Sequence, residues 1–192
     1  KGLYLVQTLS VPAEKDEKFS WRENMVCRVA GDWIALSAPS ARRDSGVVHL
    51  FQNVGGVWEH KQRITPSDAS PNGHFGASMD LENDVLLVSA PDQPMPMQNS
   101  SGQRREGAVY VFRLKDGSWQ ESSRLGADVF PVSARWSLKL GKAVSISGEQ
   151  IVVSGQSDQN SFASLGHLKG DKMVWDQVLT SLTDGIGNAE IL

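Results

Sequence analysis

The sequence predicts an all-β chain built from a repeated unit of four short antiparallel strands. Three observations predict it. Residues 74–119 read as four strands in succession, bounded by turn-forming residues. The same residue pattern is written again on both sides of that stretch. The spacing is also kept: twelve positions separate Gly46 from Trp58 and Gly107 from Trp119, and fourteen separate Gly76 from Ala90 and Gly141 from Gly155. A unit of this kind cannot bury its own faces and must stack on neighbours.

The central unit shows the logic of each element. Phe75-Gly76-Ala77-Ser78-Met79 leads into the first strand, and Val85–Val88 is a continuous apolar run that suits a strand buried on both faces. Between them, Asn83 tolerates the positive φ that a two-residue hairpin demands. Pro91 cannot donate to a ladder and ends the second strand. Gly107 opens the third strand, Gly107-Ala108-Val109-Tyr110-Val111-Phe112, and Asp116-Gly117 turns the chain into a fourth carrying Trp119.

Along the chain, residues 1–11 read as the outer strand of a preceding unit, because residues 3–9 resemble the later fourth strands. Residues 12–23 are a polar connection whose run Glu14-Lys15-Asp16-Glu17-Lys18 reads as a solvated loop. The first full unit is 25–64, the second 75–125 and the third 140–182, the last read as shortened and finished by Gly166-His167-Leu168 and Trp175. Residues 183–192 repeat the opening of a first strand, and all five pieces are assigned to one domain. Residues 92–106, with Pro94, Met95, Pro96 and Met97, are expected to be a long structureless connection, functional or disordered. Cys27, the sole cysteine, falls in a first strand and is read as a buried small residue rather than a nucleophile.

Phe75-Gly76 and Ser89-Ala90-Pro91 resemble the two words that name the FG-GAP repeat, and Gly107 to Phe112 with Trp119 resemble the rest of it. The first unit lacks the first word, with Glu23-Asn24 in its place, and the third has Leu140-Gly141 and Ser154-Gly155-Gln156. The resemblance is to the bacterial-type repeats without a long loop between strands one and two. It implies a β-propeller like that of integrin α subunits, here a partial ring of about three four-stranded blades. Propellers close with about 4 to 8 blades, so a larger ring is expected, completed by the same polypeptide or another chain.

Calcium-holding members of that family carry several acids between strands one and two. Here the corners are Ala30-Gly31-Asp32, Glu82-Asn83-Asp84 and Ser147-Gly148-Glu149, with too few carboxylates for the six to eight oxygens calcium takes. Asp32, Asp84 and Glu149 are therefore expected as turn residues, with no metal. His49, His60, His74 and His167 make no zinc-type pair, and no nucleophile elbow or phosphate loop occurs. No cofactor and no catalytic residue is expected. A net charge of −3 argues against a general nucleic-acid binder, and no apolar run is long enough to insert in a membrane.

Two features stand out as candidate partner contacts. Arg42-Arg43 and Arg104-Arg105 each precede a strand-three glycine, on connections that share one face of a propeller, and paired arginines grip carboxylates bidentately. The alternative is two solvated loops whose arginines pair with local acids. Trp21 and Trp136 fall between units, whereas Trp58, Trp119, Trp175 and Trp33 read as packing. The resemblance implies a non-enzymatic recognition or adhesion scaffold for a protein or glycan, extracellular, periplasmic or surface-displayed. An assembly role through the lateral blade faces and an enzyme in the ring channel stay open. Asn99-Ser100-Ser101 fits a glycosylation acceptor.

Overall fold

Each hairpin corner sets the local structure. Gly31, Asn83 and Gly148 adopt φ of 53°, 51° and 61°, as two-residue turns require. The next residue's carbonyl (Asp32, Asp84, Glu149) accepts from the third strand at Asn53, Leu114 and Leu168 over 2.8, 2.9 and 2.8 Å. The acidic corners thus serve as turn residues that tie three strands together.

The computed structural model describes residues 7–12, 25–96, 103–126, 139–156, 161–170 and 172–180. These form three four-stranded antiparallel sheets. The first orders β1 (Cys27–Ala30), β2 (Trp33–Ala38), β3 (Val47–Val54) and β4 (Val57–Ile64). The second orders β5 (Met79–Glu82), β6 (Val85–Ala90), β9 (Ala108–Lys115) and β10 (Ser118–Gly126). The third orders β11 (Lys139–Ser147), β12 (Gln150–Gln156), β13 (Ser161–Lys169) and β14 (Lys172–Thr180). They stack face to face as blades of a β-propeller arc. Each outer strand carries one bulge against its neighbour, which increases its twist.

Two apolar layers hold the blades together. Trp33, Ala35, Val48 and Leu50 of the first blade meet Met79, Leu81, Leu86, Val88, Tyr110 and Phe112 of the second. Trp33 meets Trp119 edge-on at 5.6 Å, an arrangement that favours aromatic pairs. Val85, Leu87, Val109 and Val111 on the second blade's other face meet Leu140, Val144, Ile146, Ile151 and Val153 of the third. β6 is therefore buried on both faces, as its unbroken apolar run predicts.

The glycines and serines of the repeat words set the spacing between blades. Phe75 forms a parallel bridge with Gly46, and Leu140 forms the same bridge with Gly107. A Cβ on Gly46 would lie 2.1 Å from the Phe75 carbonyl oxygen, and one on Gly107 would lie 2.2 Å from that of Leu140. One residue on, a Cβ on Gly76 would meet Cβ of Ser37 at 2.7 Å, and one on Gly141 would meet Cβ of Ser89 at 2.8 Å. The same serines work within their own blades. Oγ of Ser37, Ser89 and Ser154 each accepts the amide of a residue eleven positions earlier (Val26, Ser78, Ala143) at 2.9 Å.

Three expectations are corrected. Cys27 is exposed, because β1 shows its outer face to a side that no described sheet covers. The third blade is not shortened: β13 has nine residues, and Gly166 lies within it rather than at its start. Gly166 faces Trp175, and a Cβ there would lie 3.0 Å from the indole, so Trp175 fills the space the glycine leaves. Trp119 instead pairs with Leu114, a position held in the third blade by Met173 opposite Leu168. Residues 92–106 are not structureless: β7 (Pro94–Pro96) and β8 (Gln103–Arg105) pair as a two-stranded ribbon. Trp21, Trp136, Asn99 and residues 183–192 lie outside the described residues.

Gly107→Ala is expected to lower unfolding free energy by about 3 kcal/mol or more, since backbone must move to admit the methyl. Gly117→Ala, with a similar φ of 75° but open space around it, should cost only about 1–2 kcal/mol. Urea unfolding of the two variants compares them; equal losses would contradict the spacing role of Gly107.

Candidate rim site on the loop face

Arg42 and Arg43 sit on the turn between β2 and β3. Arg42, Arg43 and Asp44 take φ of 56°, 60° and 61°, three consecutive non-glycine residues in the left-handed region. That conformation costs roughly 1–2 kcal/mol per residue, so neighbouring structure must hold it. The holding contacts come from the link between the first two blades. Asn72 N donates to the Arg43 carbonyl at 3.0 Å, His74 N to that of Asp44 at 2.8 Å, and Phe75 N to that of Ser45 at 3.0 Å. Both arginine side chains project into solvent, without an ion pair among the described residues.

Arg105 has a different role. Its Nη1 donates to the carbonyls of Asn72 at 2.8 Å and Asp92 at 3.1 Å, bracing the link against the β6–β7 connection. Asp92 in turn lies 3.0 Å from His74 Nδ1 and 3.1 Å from Lys139 Nζ. The backbone of Arg104 pairs with Met95 in the ribbon. Arg43, Asn72, Arg105, Asp92, His74 and Lys139 are therefore joined in one series of contacts that crosses all three blades, with Arg42 next to Arg43 in the turn. Of the six candidate contacts, Arg43 and Arg105 meet at Asn72, the first through its main-chain carbonyl and the second through its guanidinium.

Beneath the rim lies a polar anchor that sequence reading did not single out. The Tyr110 hydroxyl donates to Asp68 Oδ1 at 2.6 Å, and Arg124 Nε donates to Asp68 Oδ2 at 2.9 Å. Buried Gln93 donates its amide to the Asp68 carbonyl, and Ser67 donates through N and Oγ to the Glu121 carboxylate at 2.8 Å each. Asp68 reads in sequence only as a turn residue; its partners are 42 and 56 positions away, so spacing gives no signal. Burial first, and then the hydrogen bond to Asp68, raise the Tyr110 pKa well above its ordinary value.

Residues 58–112 match the family model described as FG-GAP repeat. That stretch is similar to an FG-GAP repeat. The match runs from the outer strand of one blade to the third strand of the next, and holds Phe75, Gly76 and Ser89 but not Gly46 or Ser37, which Phe75 and Gly76 face across the junction. In all three described blades, strands one and two are joined by two-residue turns. No curated protein matches the chain.

The Tyr110 shift has a pH consequence. A phenol whose folded pKa is raised gives stability that is complete below its unfolded pKa of about 10 and is lost as pH rises beyond it. Tyr110→Phe should unfold about 1–3 kcal/mol more easily at neutral pH, because Asp68 loses a donor. Above about pH 10 the variant should lose stability less steeply than the parent. Thermal unfolding from pH 8 to 11 checks this; parallel slopes would contradict it.

Proposed function

We propose that this chain is a non-enzymatic recognition scaffold that binds a protein or glycan partner through its loop rim. The reading extends to an adhesion role in an extracellular, periplasmic or cell-surface setting. The observation that carries it is the pair Arg42 and Arg43, presented to solvent on a left-handed turn. Glycine would adopt that turn at little cost, so arginine there trades stability for exposed guanidinium groups. The braced link under the turn lowers the ordering cost of binding. Guanidinium groups so placed favour carboxylate-bearing partners, gripped bidentately. The FG-GAP match supports a propeller-type binding domain.

The test uses immobilised polyglutamate and polygalacturonate as carboxylate probes. Arg42→Ala with Arg43→Ala should weaken binding about tenfold or more while leaving the melting temperature unchanged. The parent's affinity should also fall as salt rises. Unchanged affinity in the double variant, or no binding by the parent to either probe, would contradict the reading.

A further inference from the structure

The two junctions between blades differ at their corner end, the end opposite the arginine rim. At the first junction two indole rings fill that end. Trp33 stands directly after the Gly31-Asp32 corner, and Trp119 stands opposite Leu114 on the outer hairpin of the next blade. The rings meet edge-on at 5.6 Å, and the two residues are 6% and 2% exposed. At the second junction the same two positions hold smaller side chains. Val85 stands directly after the Asn83-Asp84 corner, and Met173 stands opposite Leu168. Interiors are close-packed, so exchanging two indoles for an isopropyl group and a thioether leaves room unless the walls close in. The walls stay apart: a cleft of about 520 Å³ lies between the second and third blades at this end.

The cleft has an apolar base and a charged mouth. Val85 and Leu168, 6% and 3% exposed, line the base. Arg113, the cross-strand neighbour of Val85, reaches the third blade and donates through Nη2 to the Gly170 carbonyl at 2.7 Å. Gly148 N donates back to Glu82 Oε2 at 2.8 Å, so the two walls are fixed relative to each other. Asp84 and Glu149 stand at the mouth. The Asp84 carboxylate is 59% exposed and lies 3.8 Å from Arg113 Nη1, beyond hydrogen-bond length. Glu149 is exposed, and neither carboxylate accepts a hydrogen bond among the described residues.

From this geometry we infer that the cleft binds a flat aromatic ring carrying a protonated amine, with tryptamine the simplest probe. The first junction is the template for the ring, because the repeat packs indoles at the equivalent place. The two carboxylates set the head group: an ammonium at the mouth donates charge-assisted hydrogen bonds to them while the ring rests on Val85 and Leu168. A ring that carries a carboxylate instead meets like charge there and is rejected. The volume suits a small-molecule ligand. The same chemistry is offered by a free arylalkylamine and by a peptide whose first residue is tryptophan. The cleft lies at the opposite strand ends from Arg42 and Arg43, so it stands or falls apart from the carboxylate reading of the rim.

Chemical-shift mapping with tryptamine on the isotope-labelled chain tests the inference. Shifts are expected at the amides of Val85, Gly148, Leu168 and Gly170, with a dissociation constant of about 1 mM or tighter. Val85→Trp returns the indole of the first junction to the cleft, and should abolish binding without lowering the melting temperature. Asp84→Asn with Glu149→Gln leaves the cleft open and should weaken tryptamine about tenfold or more. Indole propionate, the same ring with a carboxylate, should bind about tenfold or more weakly than tryptamine. A tripeptide of tryptophan and two glycines separates the sources: tighter binding than tryptamine assigns the site to a peptide end, weaker binding to a free amine, and either order supports the inference. No shift with tryptamine, shifts away from the cleft, or unchanged affinity in a folded variant overturns it.

Discussion

The structure depends on a backbone-to-backbone approach between successive sheets, possible only where a side chain is missing. Gly46 and Gly107 each let the start of the next blade lie against the start of a third strand, with carbonyl oxygen where a Cβ would otherwise be. The next residue, Gly76 or Gly141, then rests on the serine of the preceding blade's second strand. That serine also satisfies an amide in its own blade. Spacing, apolar layering and backbone satisfaction are thus set by the same few residues. At this distance the two apolar layers close with core residues almost fully buried, so every Å of separation would forfeit contact.

The rim inherits its geometry from those junctions. The link that ends in Phe75 also buttresses Arg43 and Asp44, and its Asn72 carbonyl receives Arg105. The Asp68 anchor fixes the same link from below through Tyr110 and Arg124. A turn held in a costly conformation and side chains held on a contiguous rim are consequences of one link locked at several points. The third blade departs where the junction changes: with Ser161 at the start of β13 and Gly166 inside it, Trp175 moves into register opposite that glycine.

Much of the fold was legible in the sequence because its signals are local. A positive-φ residue before an acid marks each corner, an apolar run marks β6, and a proline ends it. What was not legible came from distant partners or from missing neighbours. Cys27 sits in a strand pattern as apolar as that of Met79, and it is exposed because no described sheet packs on its side of β1. The ribbon of β7 and β8 pairs proline-flanked residues with a polar triplet, which carries no alternation to read. At the rim, the doubled arginines were visible, but nothing local separates Arg42 and Arg43, which face solvent, from Arg105, which braces two carbonyls. Asp92 joins His74 to Lys139 across two junctions, and sequence spacing holds no trace of that.

Hydrogen exchange at the junction amides tests the central claim most directly. Phe75 N and Leu140 N donate across junctions to Ser45 and Glu106 at 3.0 and 2.9 Å. If the blades form one cooperative stack, these amides exchange only as slowly as those in the middle of β9, through global opening. Exchange at those two amides on a loop timescale, while β9 stays protected, would mean that the sheets open independently and that the glycine junctions do not hold them.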